Sequence, residues 1–523
     1  MARALVVAGE WGVSRSAGSS ARVREFIRNG SYPDSARDPL TTSPMTLRNG
    51  DPFPFVIAVI PSFNEEESIE RTIGSLRSQT RPPDEIIVLA DNCTDTTVAL
   101  ALVAGVSVWE TRENADGKAG ALNQLLDEIL DILDTDDSVL VMDADTVLTE
   151  RFVEATVKML FTQSKKPIAG VGGIFLADDD EWSWVRQLQS NEYVRYQRRL
   201  SRRGGRALVL TGTGTVFRAG VLRLVRDARR SGILPDLGEG RSVYDLSSLT
   251  EDNELTLSVK KLGYRVVSPR ECTVKTAMMP SWSSLFKQRR RWQRGALENL
   301  IAHGINPHSI PYALRQVLTY VGVFFVPFYL FTLAVALITK SGLDFFQPLW
   351  VAVAVIYIAE QTFSVRKGGW RAIGVSILVM PELIMNSFLN LVYVTSFFGM
   401  LYATDETWGR MRNLATPAKA TEPGVQNLPE LSSSAAHSRH SRVAHSMRRT
   451  RFIPASLHGT HYVRHAPGAR LIATLITGMV FTGIALAIAI PLINLQLAWN
   501  LIAIYVLLGA VFTIGRLIPV KNF

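Results

Sequence analysis

The stretch that most constrains the fold is Val139-Leu140-Val141-Met142-Asp143-Ala144-Asp145, an apolar run that ends in two aspartates spaced one residue apart. Four consecutive apolar residues, two of them β-branched, are typical of a buried parallel strand, because such strands are covered on both faces. Asp143 and Asp145 then fall in the turn after the strand. We therefore predict a buried strand that delivers two carboxylates to one edge of a sheet.

The same order of apolar run, polar turn and helix recurs along the first half of the chain. Residues 55–60 and 86–90 are further apolar runs, and each is followed by polar residues and then by a helical repeat. This alternation predicts an open, mostly parallel α/β sheet. Ligands bind such sheets in the crevice at the carboxyl ends of the strands. The side chains that we expect to converge there are Asn64, Asp91, Asp143 and Asp145.

Aspartate and asparagine also favour turns and helix caps for purely local reasons. We interpret Asp95 in that way. Asp91 and the pair Asp143 and Asp145 differ, because separate strands that bring carboxylates to one edge create a repulsion that a bound cation would relieve. We therefore predict a functional role for these three residues.

Two further segments place small residues where a ligand could approach the backbone. Residues 114–120 form a glycine-punctuated loop that contains Lys118 and precedes a helix predicted from Ala121, which suits a diphosphate. A solvated lysine would give the same pattern. Residues 207–210 predict another buried strand, which would deliver the Thr-Gly-Thr-Gly-Thr run at 211–215. These small residues fit a ligand site or a tight bend equally well.

Two predicted helices carry the remaining polar motifs. Thr250, Glu251 and Asp252 begin a helix that is predicted to end at Gly263, although acids in a first turn can serve only to complement the helix dipole. Residues 281–301 combine aromatic and leucine side chains with basic residues, which predicts an amphipathic helix in a membrane interface. That helix contains the sequence Gln288-Arg289-Arg290-Arg291-Trp292.

The composition excludes several classes of protein. The 523 residues carry a formal net charge of +9 and contain two cysteines, Cys93 and Cys272, which is too few for a disulfide framework or a cysteine-rich metal site. Basic residues concentrate at 287–294 and 439–451, beside apolar segments, where they suit anionic lipid headgroups better than nucleic acid. We expect a cytosolic soluble domain and no nucleic-acid partner.

The second half of the chain predicts a membrane region, because its apolar runs approach the roughly 20 residues that span a bilayer. The predicted spans are residues 317–338, 346–362, 383–401, 471–490 and 495–514, with an interfacial or tilted segment interrupted at Pro381. The predicted organisation is a disordered leader (1–50), a cytosolic domain (51–280), interface helices (281–312), membrane helices (313–402), a flexible basic linker (403–469) and a membrane hairpin (470–523).

Four motifs of the chain resemble, in the same order, those of the membrane-embedded family 2 glycosyltransferases: Asp91, Asp143-Ala144-Asp145, Thr250-Glu251-Asp252 and Gln288 to Trp292. This family includes the cellulose, chitin, hyaluronan and poly-N-acetylglucosamine synthases. The resemblance covers residues 54–402. It implies a catalytic domain of the GT-A type, with an open Rossmann-like sheet, on the cytoplasmic side of the cell membrane. Interface helices and several membrane-spanning helices would follow.

The resemblance also implies a role for each motif residue. The donor nucleotide-sugar would be bound by Pro61, Asn64, Glu65, Asp91, Lys118, Asp143, Asp145, Gln288 and Arg291. Asp143 and Asp145 would hold a Mg²⁺ or Mn²⁺ ion, with Asp145 the more direct ligand. The acceptor would contact Gly212, Thr213, Gly214 and Trp292. Asp252, with Glu251 beside it, would be the catalytic base, and its position at a helix N-terminus predicts a lowered pKa.

The predicted activity is inverting transfer of a sugar from a UDP-sugar, with UDP-N-acetylglucosamine as a candidate, to a growing β-linked glycan. The alternative is a non-processive enzyme that adds one sugar to a lipid or protein acceptor, and the size of the product distinguishes the two. A third reading is a transporter or membrane scaffold with an inactive domain. Such a protein would be expected to lack Asp145 or Asp252, and both are present.

Overall fold

The structure is a computed structural model that describes residues 54–162, 166–178, 181–323 and 348–401. The predicted leader (1–50), linker (403–469) and terminal hairpin (470–523) lie outside the described residues, as do parts of the first two predicted spans.

A twisted sheet forms the centre of the first half of the chain. Its strands are β1 (Val56–Ser62), β2 (Glu85–Ala90), β3 (Ser107–Glu110), β4 (Ser138–Val141), β6 (Ile168–Gly172), β8 (Thr215–Arg218) and β9 (Arg265–Val267). They pair in the order β3-β2-β1-β4-β8-β6-β9, and only β8 runs antiparallel to its described neighbours β4 and β6. The predicted mostly parallel α/β sheet is confirmed. A smaller sheet has the order β5-β10-β7, from β5 (Thr146–Leu148), β7 (Ile174–Ala177) and β10 (Thr273–Thr276).

Helices cover both faces of the large sheet. Alternate side chains of β1 enter opposite cores, with Ile57 and Val59 on one face and Val56 and Ile60 on the other. The first core is closed by α3 (Gly117–Ile129) and α6 (Ala219–Arg230), and the second by α1 (Ile69–Arg77) and α4 (Phe152–Leu160). Since both faces are buried, the central strands β1, β2 and β4 are mostly apolar, as the sequence predicted. The remaining helices of this half are α2 (Thr97–Val103) and α5 (Trp184–Arg202).

The remaining helices follow β8 in the chain, and the first of them precedes β9. They are α7 (Glu251–Lys261), α8 (Trp282–His303), α9 (residues 310–323), α10 (Pro348–Val365), α11 (Gly369–Ile377) and α12 (Met380–Leu401). The predicted interruption near Pro381 is present, because α11 ends at Ile377 and Val379 adopts a φ of 57° before α12 begins. Among the described residues, α12 is the one helix that is long and apolar enough to cross a membrane.

A buried ion pair joins this helical group to the sheet domain. Arg195 of α5 donates from Nη1 and Nη2 to the two carboxylate oxygens of Glu382 in the first turn of α12, at 2.9 and 2.8 Å. Asn191 also donates to Glu382, at 2.9 Å, and the glutamate is only 2% exposed. A bidentate pair with further hydrogen bonds holds a buried charge in one geometry.

Two local predictions were wrong. Residues 207–210 are not a strand, because side chains of α7 satisfy their backbone instead of a sheet: Thr256 Oγ1 accepts from Leu210 N at 3.0 Å, and Lys260 Nζ donates to Ala207 O at 3.1 Å. The buried strand at this place is β8, after the glycine-rich turn. The helix predicted from Ala121 begins four residues earlier, at Gly117.

Candidate active site

The two aspartates after β4 lie in a turn that α1 holds in place. The buried hydroxyl of Thr72 donates to Ala144 O at 2.6 Å and is 3.1 Å from Thr146 O. Asp143 Oδ1 accepts from Lys118 Nζ at 2.5 Å. Asp145 and Asp143 therefore leave the sheet at the carboxyl end of β4, as predicted.

The charge around Asp145 favours a bound cation. Burial, and then the charges of Asp143 and Glu65, raise the pKa of Asp145 to about 6. No three His, Cys, Asp or Glu side chains form a ready-made metal cluster in the described ranges. Two carboxylates nevertheless fit Mg²⁺ or Mn²⁺, since such ions take their remaining ligands from substrate phosphates and water.

Lys118 joins the turn after β4 to the start of α7. Its Nζ is 2.5 Å from Asp143 Oδ1 and 3.1 Å from Glu251 Oε1. Burial alone would raise the pKa of Glu251, but the charges of Lys118 and Arg291 outweigh it and hold this pKa below its usual value. Glu251 is therefore an ionised partner of two cations, and Lys118 lies in the first turn of α3, not in the predicted loop before it.

Asp252 lies beside this ion network with its carboxylate turned toward the glycine-rich turn. Its Oδ2 accepts from Gly212 N at 2.9 Å, and its Oδ1 accepts from Asn253 N at 2.7 Å. The predicted lowering of its pKa is wrong. Burial and the neighbouring charge of Glu251 raise the pKa of Asp252 to about 6, because they outweigh Lys118 and the Asn253 amide.

Gly212 is the point at which these groups meet. A Cβ on this residue would lie 3.2 Å from Lys118 Nζ and 3.8 Å from both Asp143 Oδ2 and Asp252 Oδ2. The turn is braced by its threonines, since the hydroxyls of Thr211 and Thr213 are 3.0 Å apart. Gly214 accepts from Gly173 N at 2.7 Å. These residues stand at the predicted place, and whether they bind the acceptor remains a prediction.

A cavity opens at this meeting point. Lys118, Gly212, Glu251 and Asp252 form its polar wall, together with Tyr244. Tyr244 was missed by the sequence reasoning, because it lies in an irregular segment with no pattern. Burial raises its pKa, and its backbone is fixed by Asn123, whose Oδ1 accepts from Tyr244 N at 2.9 Å.

The loop after β2 forms a second part of the candidate site. Asp91 is buried, and its Oδ1 accepts from Asn114 Nδ2 at 2.8 Å and from Thr111 Oγ1 at 2.9 Å. Burial raises the pKa of Asp91. Asn114 also donates to Gly117 O at 2.8 Å, so it joins Asp91 to the start of α3.

The predicted donor residues of the loop after β1 have structural contacts. Asn64, with a φ of 53°, accepts from Thr94 N at 2.8 Å, and Glu65 N donates to Thr97 Oγ1 at 2.8 Å. Pro61 pairs with Leu89 in β2. Asp95 accepts from Thr97 N at 3.0 Å at the start of α2, in agreement with its interpretation as a turn residue.

The helix α8 places the last motif beside α7. A Cβ on Gly295 would be 2.5 Å from Thr250 Oγ1, so the two helices touch where the acidic motif begins. Arg291 Nη1 donates to Leu249 O at 3.4 Å, and its charge acts on Glu251. The Trp292 ring packs against the guanidinium of Arg289, 4.7 Å from its centroid. Gln288 Oε1 is buried and finds no hydrogen-bond donor among the described residues.

The structure thus brings together residues from three of the four motifs, namely the aspartate pair after β4, the acidic start of α7 and Arg291 of α8. Asp143, Glu251 and Asp252 meet around Lys118 and Gly212. The charge of Arg291 acts on Glu251, whereas no hydrogen bond joins Gln288 or Trp292 to these acids within the described part of the chain.

Comparison with known proteins agrees with the motif pattern. Residues 53–295 match the family model described as glycosyltransferase like family 2. Chitin synthase 7 of Gibberella zeae is 30% identical over 178 residues, which are 31% of this chain and 10% of that protein. An N-acetylglucosaminyltransferase of Azorhizobium caulinodans is 26% identical over 290 residues, 53% of this chain and 66% of that protein. The chain thus spans less than two thirds of the length of either relative.

A solved structure is also similar. The mannosyltransferase PcManGT from Pyrobaculum calidifontis, solved in complex with GDP-Man and Mn²⁺, aligns with 77% of this chain and 99% of its own chain. The TM-score is 0.44 and the sequence identity 16%.

Proposed function

We propose that this chain is a membrane-bound inverting hexosyltransferase. It transfers a sugar from a UDP-sugar to a growing β-linked glycan. The premise is the match of residues 53–295 to the family model described as glycosyltransferase like family 2. The names of the two relatives, a chitin synthase and an N-acetylglucosaminyltransferase, favour UDP-N-acetylglucosamine as the donor. The main support for the proposal is that the side chains of Asp252, Asp143 and Lys118 meet at Gly212, where a Cβ would lie within 3.8 Å of all three.

The donor occupies the edge of the sheet between Asp91 and Asp145. Asp91 contacts the nucleoside, and Lys118 and Arg291 bind the diphosphate, because an ammonium and a guanidinium favour its phosphate oxygens. When the donor binds, its diphosphate competes with Asp143 and Glu251 for the two cations. A divalent ion held by Asp143 and Asp145 would neutralise the negative charge that develops on the departing diphosphate.

The acceptor hydroxyl lies at Asp252, within the cavity. Asp252 accepts the hydroxyl proton as the oxygen forms a bond to the anomeric carbon. The bond between that carbon and the UDP oxygen breaks, and UDP leaves with the bonding electrons. Because attack and departure occur on opposite faces, an α-linked donor gives a β-linked product. A base with a pKa of about 6 is well suited to this role near neutral pH.

The apolar helix α12 supports attachment to the membrane. Its length and composition suit a bilayer span, and the buried pair of Arg195 and Glu382 fixes it to the catalytic domain. The described parts of the other predicted spans are helical, in α9 and α10. The domain limits predicted from the sequence are part of the proposal, with the catalytic domain on the cytoplasmic side.

The test of the proposal is the variant Asp252→Asn in the full-length protein in membranes. We expect transfer of labelled sugar to fall by about 10²–10⁴-fold, because the variant lacks the base but keeps the shape of the side chain. The matched control is Asp227→Asn, which changes an exposed carboxylate on α6 and should leave transfer unchanged. Normal turnover by Asp252→Asn in properly inserted protein would refute the proposed role.

Product size decides between the two forms of the activity. A ladder or high polymer made by the purified enzyme supports a growing glycan. A single added sugar supports the alternative, in which the acceptor is a lipid or a protein.

A further inference from the structure

Two arginines from different parts of the chain share one aromatic ring at the end of α10, away from the candidate active site. The guanidinium carbon of Arg198, on α5, lies 4.4 Å from the centroid of the Phe363 ring. That of Arg366, in the turn after α10, lies 4.1 Å from the same centroid. The two carbons are therefore at most 8.5 Å apart, the sum of these distances. At such a separation two guanidinium groups can bind the oxygens of one phosphate.

Hydrogen bonding and close packing hold the two arginines in this position. Arg195, three residues before Arg198 on α5, donates from Nε to Ser364 Oγ at 3.0 Å. A Cβ on Gly368 would lie 3.3 Å from Val194 Cγ2, so the turn after α10 also touches α5. The elements that carry the two arginines are thus fixed against each other on both sides of the pair.

Neither arginine has an acidic partner. Within the described ranges, no carboxylate forms an ion pair with Arg198 or Arg366. Arg198 also makes no hydrogen bond there, and its Nη2 atom is buried. Part of this guanidinium is therefore neither hydrated nor paired, while a second cation shares its aromatic ring. Because like charges repel, this arrangement favours an anion beside the pair.

The surroundings of the pair are also basic. Residues 198–202 and 360–371 contain six arginine and lysine side chains and a single acid, Glu360. Glu360 lies one turn before Phe363 on α10 and forms no ion pair in the described part of the chain. One carboxylate cannot balance this charge, so the candidate ligand is an anion from outside the chain.

Exposed apolar side chains beside the pair favour a lipid as the source of that anion. Phe363 itself is 42% exposed, and Trp370 and Ile377 on α11 are 78% and 54% exposed. Trp370 and Ile377 are seven residues apart and share the face of α11 opposite the buried Ala372 and Val375. A short helix with an apolar outer face and basic residues at its start is suited to a lipid headgroup layer.

We propose that Arg198 and Arg366 bind the headgroup phosphate of an anionic phospholipid, with Phe363 as the ring on which both guanidinium groups stack. The acyl chains of this lipid contact Phe363 and the outer face of α11. The site lies at the end of α10, the helix that contains the second predicted span, where lipid phosphates meet the protein surface. The inference concerns a lipid that is bound and not consumed, so it goes beyond the proposed sugar transfer.

Lipid binding to the purified full-length protein in an uncharged detergent tests this site, with no sugar donor present. Native mass spectrometry measures the binding of phosphatidylglycerol and of diacylglycerol, which has the same glycerol backbone but no phosphate. We expect the Kd for phosphatidylglycerol to be at least about tenfold lower, because a hydrogen bond between charged groups contributes about tenfold or more.

Three variants identify the residues responsible. Arg198→Gln and Arg366→Gln should each lower the preference for phosphatidylglycerol about tenfold. Phe363→Leu keeps both charges but removes the aromatic ring, so we expect the preference to fall about threefold. The matched control is Arg151→Gln, which changes a side chain that is 73% exposed beside α4 and should leave the preference unchanged. Melting temperatures equal to that of the wild type show that each variant is folded.

Three outcomes would overturn the inference. The first is equal binding of the two lipids by the wild-type protein. The second is a preference that survives all three variants, since general surface charge would then explain it. The third is displacement of phosphatidylglycerol by an equal concentration of inorganic phosphate, because the site would then bind free phosphate instead of a lipid. None of these outcomes affects the proposed sugar transfer, which Asp252→Asn tests separately.

Discussion

At the scale of single residues, Asp252 combines burial with a charged neighbour. The raised pKa means that this carboxyl holds its proton more tightly in the folded protein than in the unfolded chain. The folded protein therefore loses stability as the pH rises from 3.8, the ordinary pKa, to about 6, while the ionised form that exists above pH 6 is the one that catalysis needs. The site is organised for proton transfer at the expense of stability.

A pH profile should reveal this group. We expect kcat/KM to fall about tenfold per pH unit well below pH 6, because protonated Asp252 cannot accept the acceptor proton. Lys118→Met should move this acid limb to higher pH, since the ammonium lowers the pKa of Asp252. Lys158→Met, an exposed control on α4, should leave the limb in place. An acid limb near pH 4, or one that Lys118→Met does not move, would contradict the assignment.

The identity of the acidic residues could be predicted from the sequence, but their protonation could not. The aspartate pair after an apolar run indicated the position of Asp143 and Asp145, because strand ends meet at one edge. The pKa of Asp252 depends on burial and on the charge of Glu251, which only the packing reveals. The role of Asn114 as a link to Asp91 was likewise not visible in its loop pattern.

At the scale of secondary-structure elements, the contact of α7 with α8 joins two motifs. Thr250 precedes α7 and Gly295 lies within α8, and only a glycine leaves room for the threonine side chain. Asn299 of α8 donates to Thr250 O at 3.1 Å. The helix that carries Arg291 is thus held against the helix that carries the base.

An added methyl group should disturb this contact. Gly295→Ala would place a Cβ 2.5 Å from Thr250 Oγ1, so we expect a loss of about 1–3 kcal/mol in stability and at least a tenfold lower kcat/KM. Adding Thr250→Ala should restore part of both quantities. Gly74→Ala in α1, whose Cβ would meet nothing within 4 Å, is the control and should be neutral or stabilising. Melting temperatures and initial rates measure the effect; additive losses in the double variant would contradict it.

The elements themselves were largely predictable. Apolar runs in the sequence predicted β1, β2 and β4, and the helical repeat of apolar residues predicted α1, α7 and α8. Residues 207–210 have the composition of a strand, but Thr256 and Lys260 from α7 satisfy their backbone. Since those partners lie about 50 residues away, local pattern could not distinguish the two arrangements.

At the scale of the whole molecule, the proposed enzyme is a catalytic domain attached to lipid. The predicted membrane segments carry few charges, whereas the net charge of +9 is concentrated beside them. This distribution supports the proposed orientation, with the catalytic domain on the cytoplasmic side.

Membrane fractionation tests this arrangement. We expect the full-length chain to remain with membranes after an alkaline carbonate wash and to be released only by detergent, because an apolar span cannot be washed out of a bilayer. Protease should digest the catalytic domain in inside-out vesicles and spare it in sealed vesicles of the opposite orientation. A peripheral control protein should be released by the wash, and release of this chain with it would contradict the membrane assignment.

The buried pair of Arg195 and Glu382 has a consequence for how the chain can be divided. A recombinant fragment that stops at residue 295, where the family match ends, would end in the middle of α8. It would also lack Glu382, the ion-pair partner of Arg195. Leu285 would also lose Met385, its packing neighbour across the domain boundary. The shortest piece worth purifying for crystallisation or assay therefore extends at least to the end of α12, even though the family-model match ends about a hundred residues earlier.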